Sequence, residues 1–200
     1  MFTVTSLTTH ASSATNGVPY ANELADLQLP FVGITAEYIN PTPDSLLITT
    51  NTPSFIQSGT GNDTVIDQSK TTGDVVIDPS GGANTVQASG NPTSHDTVIV
   101  DAESDAPLTD VITGLKAGDN VVIKGLTALS PGDFANATVG GLQGLMLTTH
   151  VPVGGPAAQV FLSGYNAGDL AAGGRLSAVP FAPPSSMPEA SSYLRLHVGP

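Results

Sequence analysis

The chain has 200 residues, room for one domain with a sizeable core. Gly and Pro supply 38 of them, charged residues are only 11% and aromatics 5%, which argues against a helical bundle; hydrophobic content of 40% argues against simple disorder. Acids outnumber bases 17 to 5, so phosphate backbones and anionic membrane surfaces are poor partners, and the uncompensated acids point to metal cations or simply to solubility.

Cysteine is absent, which removes disulfides, thiolate metal sites and a Cys nucleophile. Met1 to Pro19 has no basic stretch followed by an apolar run, so it does not read as a cleaved signal peptide. Export would then use a route without an N-terminal signal. No apolar run reaches the ~18–20 residues of a transmembrane helix.

Residues 1–52 form a first segment, rich in Thr and Ser and short of charge. Its short apolar runs predict strands, with Tyr20 to Leu29 readable as one short helix or as turns leading to a strand. Residues 53–127 differ sharply. Ten of the 17 acids lie from Asp63 to Asp119, and one pattern recurs there: a small-residue turn, then Asp or Asn, then a short β-branched run. The phased residues are Asp63, Asp74, Asn84 and Asp96, at steps of 11, 10 and 12, with looser echoes at Asp110 and Asp119. One short strand per ~10 residues in constant phase predicts a β-solenoid, a parallel β-roll. A hairpin meander shares the spacing but not the phase. The solenoid reading places Val65, Val76, Val86 and Val98 in one buried ladder. Asp67 and Asp78 read as solvated strand ends.

Residues 128–200 lose the acids and predict a β-rich C-terminal cap on the solenoid, with short helices started by Ser130-Pro131 and by Asn166. Strand-like runs cover Gly144–Thr149, Gln159–Leu162 and Tyr193–Val198. The fold class is therefore all-β.

The stretch Ser58-Gly59-Thr60-Gly61-Asn62-Asp63-Thr64-Val65-Ile66 resembles the nonapeptide G-G-x-G-x-D-x-U-x of the repeats-in-toxin calcium-binding family, with Ser58 replacing the first Gly. Gly81-Gly82-Ala83-Asn84-Thr85-Val86 is a weaker match, with Asn for Asp, and the other units keep the acid but not the glycines. Asp110 to Asp119 looks like the segment that commonly follows such repeats, with Leu115 where the family often has Phe. The resemblance covers about residues 55–200 and implies a β-roll, Ca²⁺ as the bound ion, and an uncleaved C-terminal export signal. It implies ions between turns two units apart, pairing Asp63 with Asn84 and Asp74 with Asp96. The candidate ligand set is Gly59, Gly61, Asp63, Asp74, Gly81, Ala83, Asn84 and Asp96. Glycines that free the backbone to aim carbonyls, beside carboxylates, are hard oxygen donors suited to Ca²⁺. The same residue types also build tight turns without any ion.

No nucleophile elbow, phosphate loop or metal-spaced histidine set occurs, and the expectation is a non-enzymatic protein. Of the four scattered histidines, only His95, beside Asp96, invites attention. The expected role is structural, adhesive or matrix-forming, outside the cell or at its surface, with calcium, a second copy or a cell-surface polysaccharide as partners. A surface-layer or filament subunit, and an accessory module of a polysaccharide-acting enzyme, are the alternatives.

Overall fold

A computed structural model describes residues 1–21, 31–40, 42–101, 109–149, 158–181 and 192–200. Most of the possible helix at Tyr20 to Leu29 lies outside them.

The described chain is a two-sheet β-solenoid. After β1 (Phe2–Ser6), β2 (Ser12–Thr15) and β3 (Val18–Pro19), the strands β4 (Ala36–Ile39), β5 (Leu46–Thr50), β6 (Ser54–Gln57), β7 (Thr64–Asp67), β8 (Gly73–Asp78), β9 (Thr85–Gln87), β10 (Ser94–Asp101), β11 (Thr109–Thr113) and β12 (Asn120–Lys124) alternate strictly between two sheets. Even-numbered strands stack in parallel in an eight-stranded sheet and odd-numbered ones in a nine-stranded sheet. Each coil therefore spends one short β-branched run on each sheet. Neither run could bury its apolar face alone, and stacking gives both a continuous core.

The parallel stack begins at β4, inside the Thr/Ser-rich first segment. Both of its ends are closed by antiparallel strands. At the start, β1 pairs onto β5 and β2 onto β1, and β3 pairs onto β4. At the other end, β13 (Phe134–Val139) and β14 (Leu142–Thr148) form a hairpin beside β15 (Gln159–Ser163), which itself lies parallel to β11. Strands β16 (Leu176–Phe181) and β17 (Tyr193–Val198) close the other sheet against β12. A bare coil end would leave a row of unpaired N–H and C=O groups. Among its described residues the cap contains one short 3-10 turn, Ala167–Leu170, capped by Asn166 as its sequence signal predicts.

The second expected helix is absent. Ser130 and Asp133 close a turn instead, with Asp133 N donating to the Ser130 carbonyl at 2.9 Å, and the chain enters β13 directly. Ser-Pro-Gly-Asp serves a β-turn as well as a helix start, because Pro at the second position presets φ for both.

The single valine ladder also requires correction. Val65 and Val86 are register partners in the nine-stranded sheet, within a column running Val4, Ile48, Val65, Val86, Ile112, Leu162, Leu145. Val98 lies in the facing sheet, in register with Ile77 and Val121, and packs into the same core from the other side. Val76 points the opposite way, into a smaller outer cluster with Phe55, Ile99, Val122 and Tyr193, flanked by Tyr20, Phe31, Ile34 and Phe181. Strand side chains alternate with period two, and in Asp74-Val75-Val76-Ile77 the inward pair is Val75 and Ile77. A run of three β-branched residues hides that parity from the sequence.

Val86 is fully buried at the middle of its column. Val86→Asp places an unpaired charge there and should cost several kcal/mol, abolishing the cooperative melt followed by circular dichroism. Ala135→Asp on the exposed side of β13 should stay within about 0.5 kcal/mol of wild type. Equal melting of the two variants would refute the column.

Candidate functional site

Each coil begins a strand of the nine-stranded sheet with a buried backbone N–H that the next coil must satisfy. Side chains two residues ahead of the aliphatic column do so. Asp63 Oδ1 accepts from Leu46 N at 2.7 Å, Asn84 Oδ1 from Asp63 N at 2.9 Å, and Asp110 Oδ1 from Asn84 N at 3.1 Å. All three side chains are about 1% exposed. The result is a polar ladder that climbs the turn edge of the solenoid.

This ladder unites Asp63 and Asn84, the first sequence-predicted pair, and adds Asp110, which the sequence offered only as a loose echo. The turns that carry the pair pack directly on each other. Gly82 takes φ +119° and lies so close to the Gly61 carbonyl that a Cβ would collide with it. Ala83 N donates to Asn62 Oδ1 at 2.9 Å. The Asn84 amide nitrogen donates to the carbonyls of Ser80 and Gly82, both at 3.4 Å. Gly59, at φ +100°, sits against the Asn40 and Thr42 backbone one coil earlier. Asn40 plays the same part there, its amide donating to the Thr42 carbonyl at 2.9 Å and the Ser58 carbonyl at 2.7 Å. Amide N–H groups thus already hold carbonyls that a cation between these turns would collect. Gly81, unlike Gly82, is not among the positive-φ glycines.

Two carboxylate oxygens remain over. Asp63 Oδ2 and Asp110 Oδ2 are buried without a hydrogen-bond partner among the described residues. Burial pushes both carboxyls up: Asp63 rises despite the nearby Ser58 hydroxyl and the Leu46 N–H, and Asp110 reaches about 7 against the lowering effects of the Asn84 N–H and side-chain amide. The Ser58 hydroxyl is spent on the Pro79 carbonyl at 2.9 Å and the Asn84 amide on the Ser80 and Gly82 carbonyls, so neither completes a hydrogen bond to the second oxygen. As a fit for Ca²⁺, which takes 6–8 oxygen ligands, each site supplies one free carboxylate oxygen and no assembled cage.

The second predicted pair is not brought together. Register places Asp74 opposite His95 and Asp96 opposite Val75. The expected step of 22 exceeds the true step of 21 by one residue, and a one-residue difference moves a side chain to the other face. Asp74 therefore faces outward, accepting from Val32 N at 2.6 Å. Asp96 faces inward and is fully buried.

Around Asp96 lies a second polar cluster. Its Oδ2 accepts from Ser89 N, its Oδ1 from Ser94 Oγ at 3.3 Å, and Ser94 Oγ lies 3.3 Å from Ser69 Oγ. Ser69 in turn holds Asp67 through its backbone N–H at 2.7 Å and its hydroxyl at 2.8 Å. On the far side, Asp119 Oδ1 accepts from Asp96 N at 2.9 Å and from Lys116 Nζ at 2.9 Å. Asp67 is thus a buried member of this cluster, 4% exposed, rather than a solvated strand end; Asp78 is half-buried. The strand Thr64–Asp67 puts Val65 and Asp67 on one face, so parity carries Asp67 inward with the valine. Burial, then the charges of Asp67 and Asp119, push Asp96 up to about 8, and burial raises Asp67 despite its Ser69 hydrogen bonds. Lys116, in contact with Asp119, is the cation whose charge also lowers Asp67 and Asp96, too weakly to offset their burial. The period-two rule applied to residues 64–67, and the Asp at 119 in phase with Val121, were the available signals.

Compared with protein families, with curated proteins and with solved structures, the chain has no significant match in any of the three.

The carboxyls of Asp96 and Asp110 have folded values above the ~4 of an unfolded chain, so their contribution to stability is full below pH ~4 and is lost as pH rises through about 7–8. Melting temperature without added divalent ions should therefore fall from pH 5 to pH 8. Asp110→Asn keeps the acceptor for Asn84 N and removes the charge, as Asn84 itself does in the same column. It should gain about 1–3 kcal/mol at pH 8, roughly 2–4 °C per kcal/mol, and much less at pH 5. A pH-independent effect of the variant would contradict the buried-charge account.

Proposed function

We propose that the chain is a secreted, non-enzymatic β-solenoid with a structural, adhesive or matrix role, whose stability responds to calcium. The observation that carries the reading is the pair of buried, unpartnered carboxylate oxygens, Asp63 Oδ2 and Asp110 Oδ2, in one column of the turn edge. That edge holds the stretch most similar to a calcium-binding repeat. A proton satisfies such an oxygen at low pH. A divalent cation, completing its shell with water and turn carbonyls, satisfies it where the proton is lost. The absence of cysteine and the repeat resemblance support an extracellular setting.

The antiparallel strands closing both coil ends favour a discrete adhesive or matrix module over a filament built by stacking coil on coil. Cation binding to the folded state alone stabilises by RT ln(1 + [L]/Kd), about 2.7 kcal/mol at 100-fold excess over Kd.

At pH 8 and matched ionic strength, CaCl₂ should raise the melting temperature above that in EDTA by several degrees. Asp63→Asn should remove a large part of the rise, and Glu37→Gln, remote from the column in β4, should leave it. Identical melting curves in CaCl₂ and EDTA would sink the calcium part of the proposal. Sedimentation as a filament with calcium would favour the surface-layer alternative.

A further inference from the structure

The eight-stranded sheet turns one set of side chains away from the main core. Near Phe55, Val76, Ile99 and Val122 that outer face is apolar. Towards the starts of β8, β10 and β12 it becomes polar. Asp74 and His95 are register partners, and Thr97, Asn120 and His197 form the next row across β10, β12 and β17. With Arg195 and the ring of Phe31, these groups line a pocket of about 190 Å³. At ~30 Å³ per water that is room for about six waters, or one small organic molecule.

The polar groups of the lining are incompletely used. Arg195 Nε is buried and has no acceptor among the described residues. The chain's other arginine, Arg175, is held by Asp169 through two contacts at 2.8 and 2.9 Å, so a missing acid is not the general condition of arginine here. Asn120 Nδ2 donates to the Gly118 carbonyl at 3.3 Å, which turns its Oδ1 towards His197 Nδ1 at 3.0 Å. Nδ1 must then carry the proton, leaving Nε2 of a neutral His197 as a bare acceptor or, once protonated, a donor. Asp74 keeps Oδ1 at 4.0 Å from His95 Nδ1, and its side chain is 12% exposed against 55% for His95, which forms the rim.

We propose that this pocket binds a hydroxycarboxylate, its carboxylate on Arg195 and a neighbouring hydroxyl near Asp74 or His197. A guanidinium fork that no acid among the described residues pairs matches a planar carboxylate. Asp74 opposes the second negative charge of a phosphate or sulfate and accepts a hydroxyl. Among the described residues no group of three or more acid or histidine side chains converges to hold a metal ion. Phe31 supplies an apolar wall for the carbon skeleton of the ligand. Such a group comes either as a free hydroxy acid or as a uronic acid unit of an acidic polysaccharide. The assignment rests on the adhesive reading above only for the second source; the pocket chemistry is independent of it and of calcium.

The test is calorimetric titration of the full chain with D-galacturonate and with neutral D-galactose. Galacturonate should bind saturably and galactose at least about tenfold more weakly, the scale of one charge-assisted hydrogen bond. Arg195→Gln should lose that preference. Because Arg195 is partly buried in a strand, His95→Gln at the exposed rim is the second variant, and it should weaken galacturonate several-fold with unchanged melting. Equal binding of the two sugars, no saturable galacturonate binding, or retention of the preference in Arg195→Gln would overturn the assignment. Retention of the chain on polygalacturonate-coated beads would identify the polysaccharide source. Binding of free galacturonate without retention on the beads would uphold the pocket and count against the adhesive reading.

Discussion

The coils of this solenoid bury backbone N–H groups at their turns, and at four of these a side-chain oxygen from the next coil accepts them. The Asp63–Asn84–Asp110 ladder and the Asp96–Asp119 contact are the same device on the two sheets. The aliphatic columns depend on it. A β-branched side chain stacks on its neighbour only if the strand starts at the right height and the right parity, and the polar residue two positions earlier sets both. The device needs an acceptor, a short stem and a turn able to bring it inward, which is why Asp, Asn and Gly concentrate at these steps. The composition that first read as turn-rich and acidic is thus the signature of coil-to-coil bonding.

Where the sequence was legible, it was because that device repeats. The phase of Asp63, Asn84 and the strands after them predicted a solenoid, and Val65 beside Val86 follows from the step of 21. What failed was parity. Two residues separated by 22 looked like a second pair, yet the register step is 21, and Asp74 and Asp96 end on opposite faces of their sheet. Val76 was misplaced for the same reason, and so was Asp67, whose inward position follows from Val65 two residues earlier. In a repeat of pure alternation the error would have been visible. In Val-Val-Ile, where every position tolerates burial, it was not, because the outer face of this sheet is itself covered by apolar side chains.

The caps were legible in outline only. Tyr193–Val198 alternates and is a strand, and Asn166 does cap a helical turn, but the role of these segments is topological. Strand β15 extends the parallel stack after an excursion of some 50 residues from β11, and β14 and β17 then reverse direction to close the far end of each sheet with antiparallel strands. Reversal cannot be read from local propensity, since parallel and antiparallel strands use the same residue types. The outermost strands of the eight-stranded sheet carry Pro19 and Pro180, each lacking the N–H that a further strand would need.

Asn84 shows what the ladder requires, and the aspartates exceed it. An asparagine at that height accepts from the coil before it and uses its amide on the turn carbonyls of its own coil, so nothing is orphaned. An aspartate at the same height accepts equally well but brings a second oxygen that the protein leaves unpartnered at positions 63 and 110. For coil stacking alone, the amide is the better residue, since an unsatisfied buried group costs about 1–3 kcal/mol. The excess oxygens make the fold answer to its medium. They are neutralised by protons in acid, and the calcium proposal adds a cation from solution as their partner above neutrality. On that proposal the solenoid is tight where one of those partners is abundant and looser where neither is, without any change in its hydrophobic columns. That coupling is a property of the two extra oxygens, and replacing Asp with Asn would leave the same architecture without it.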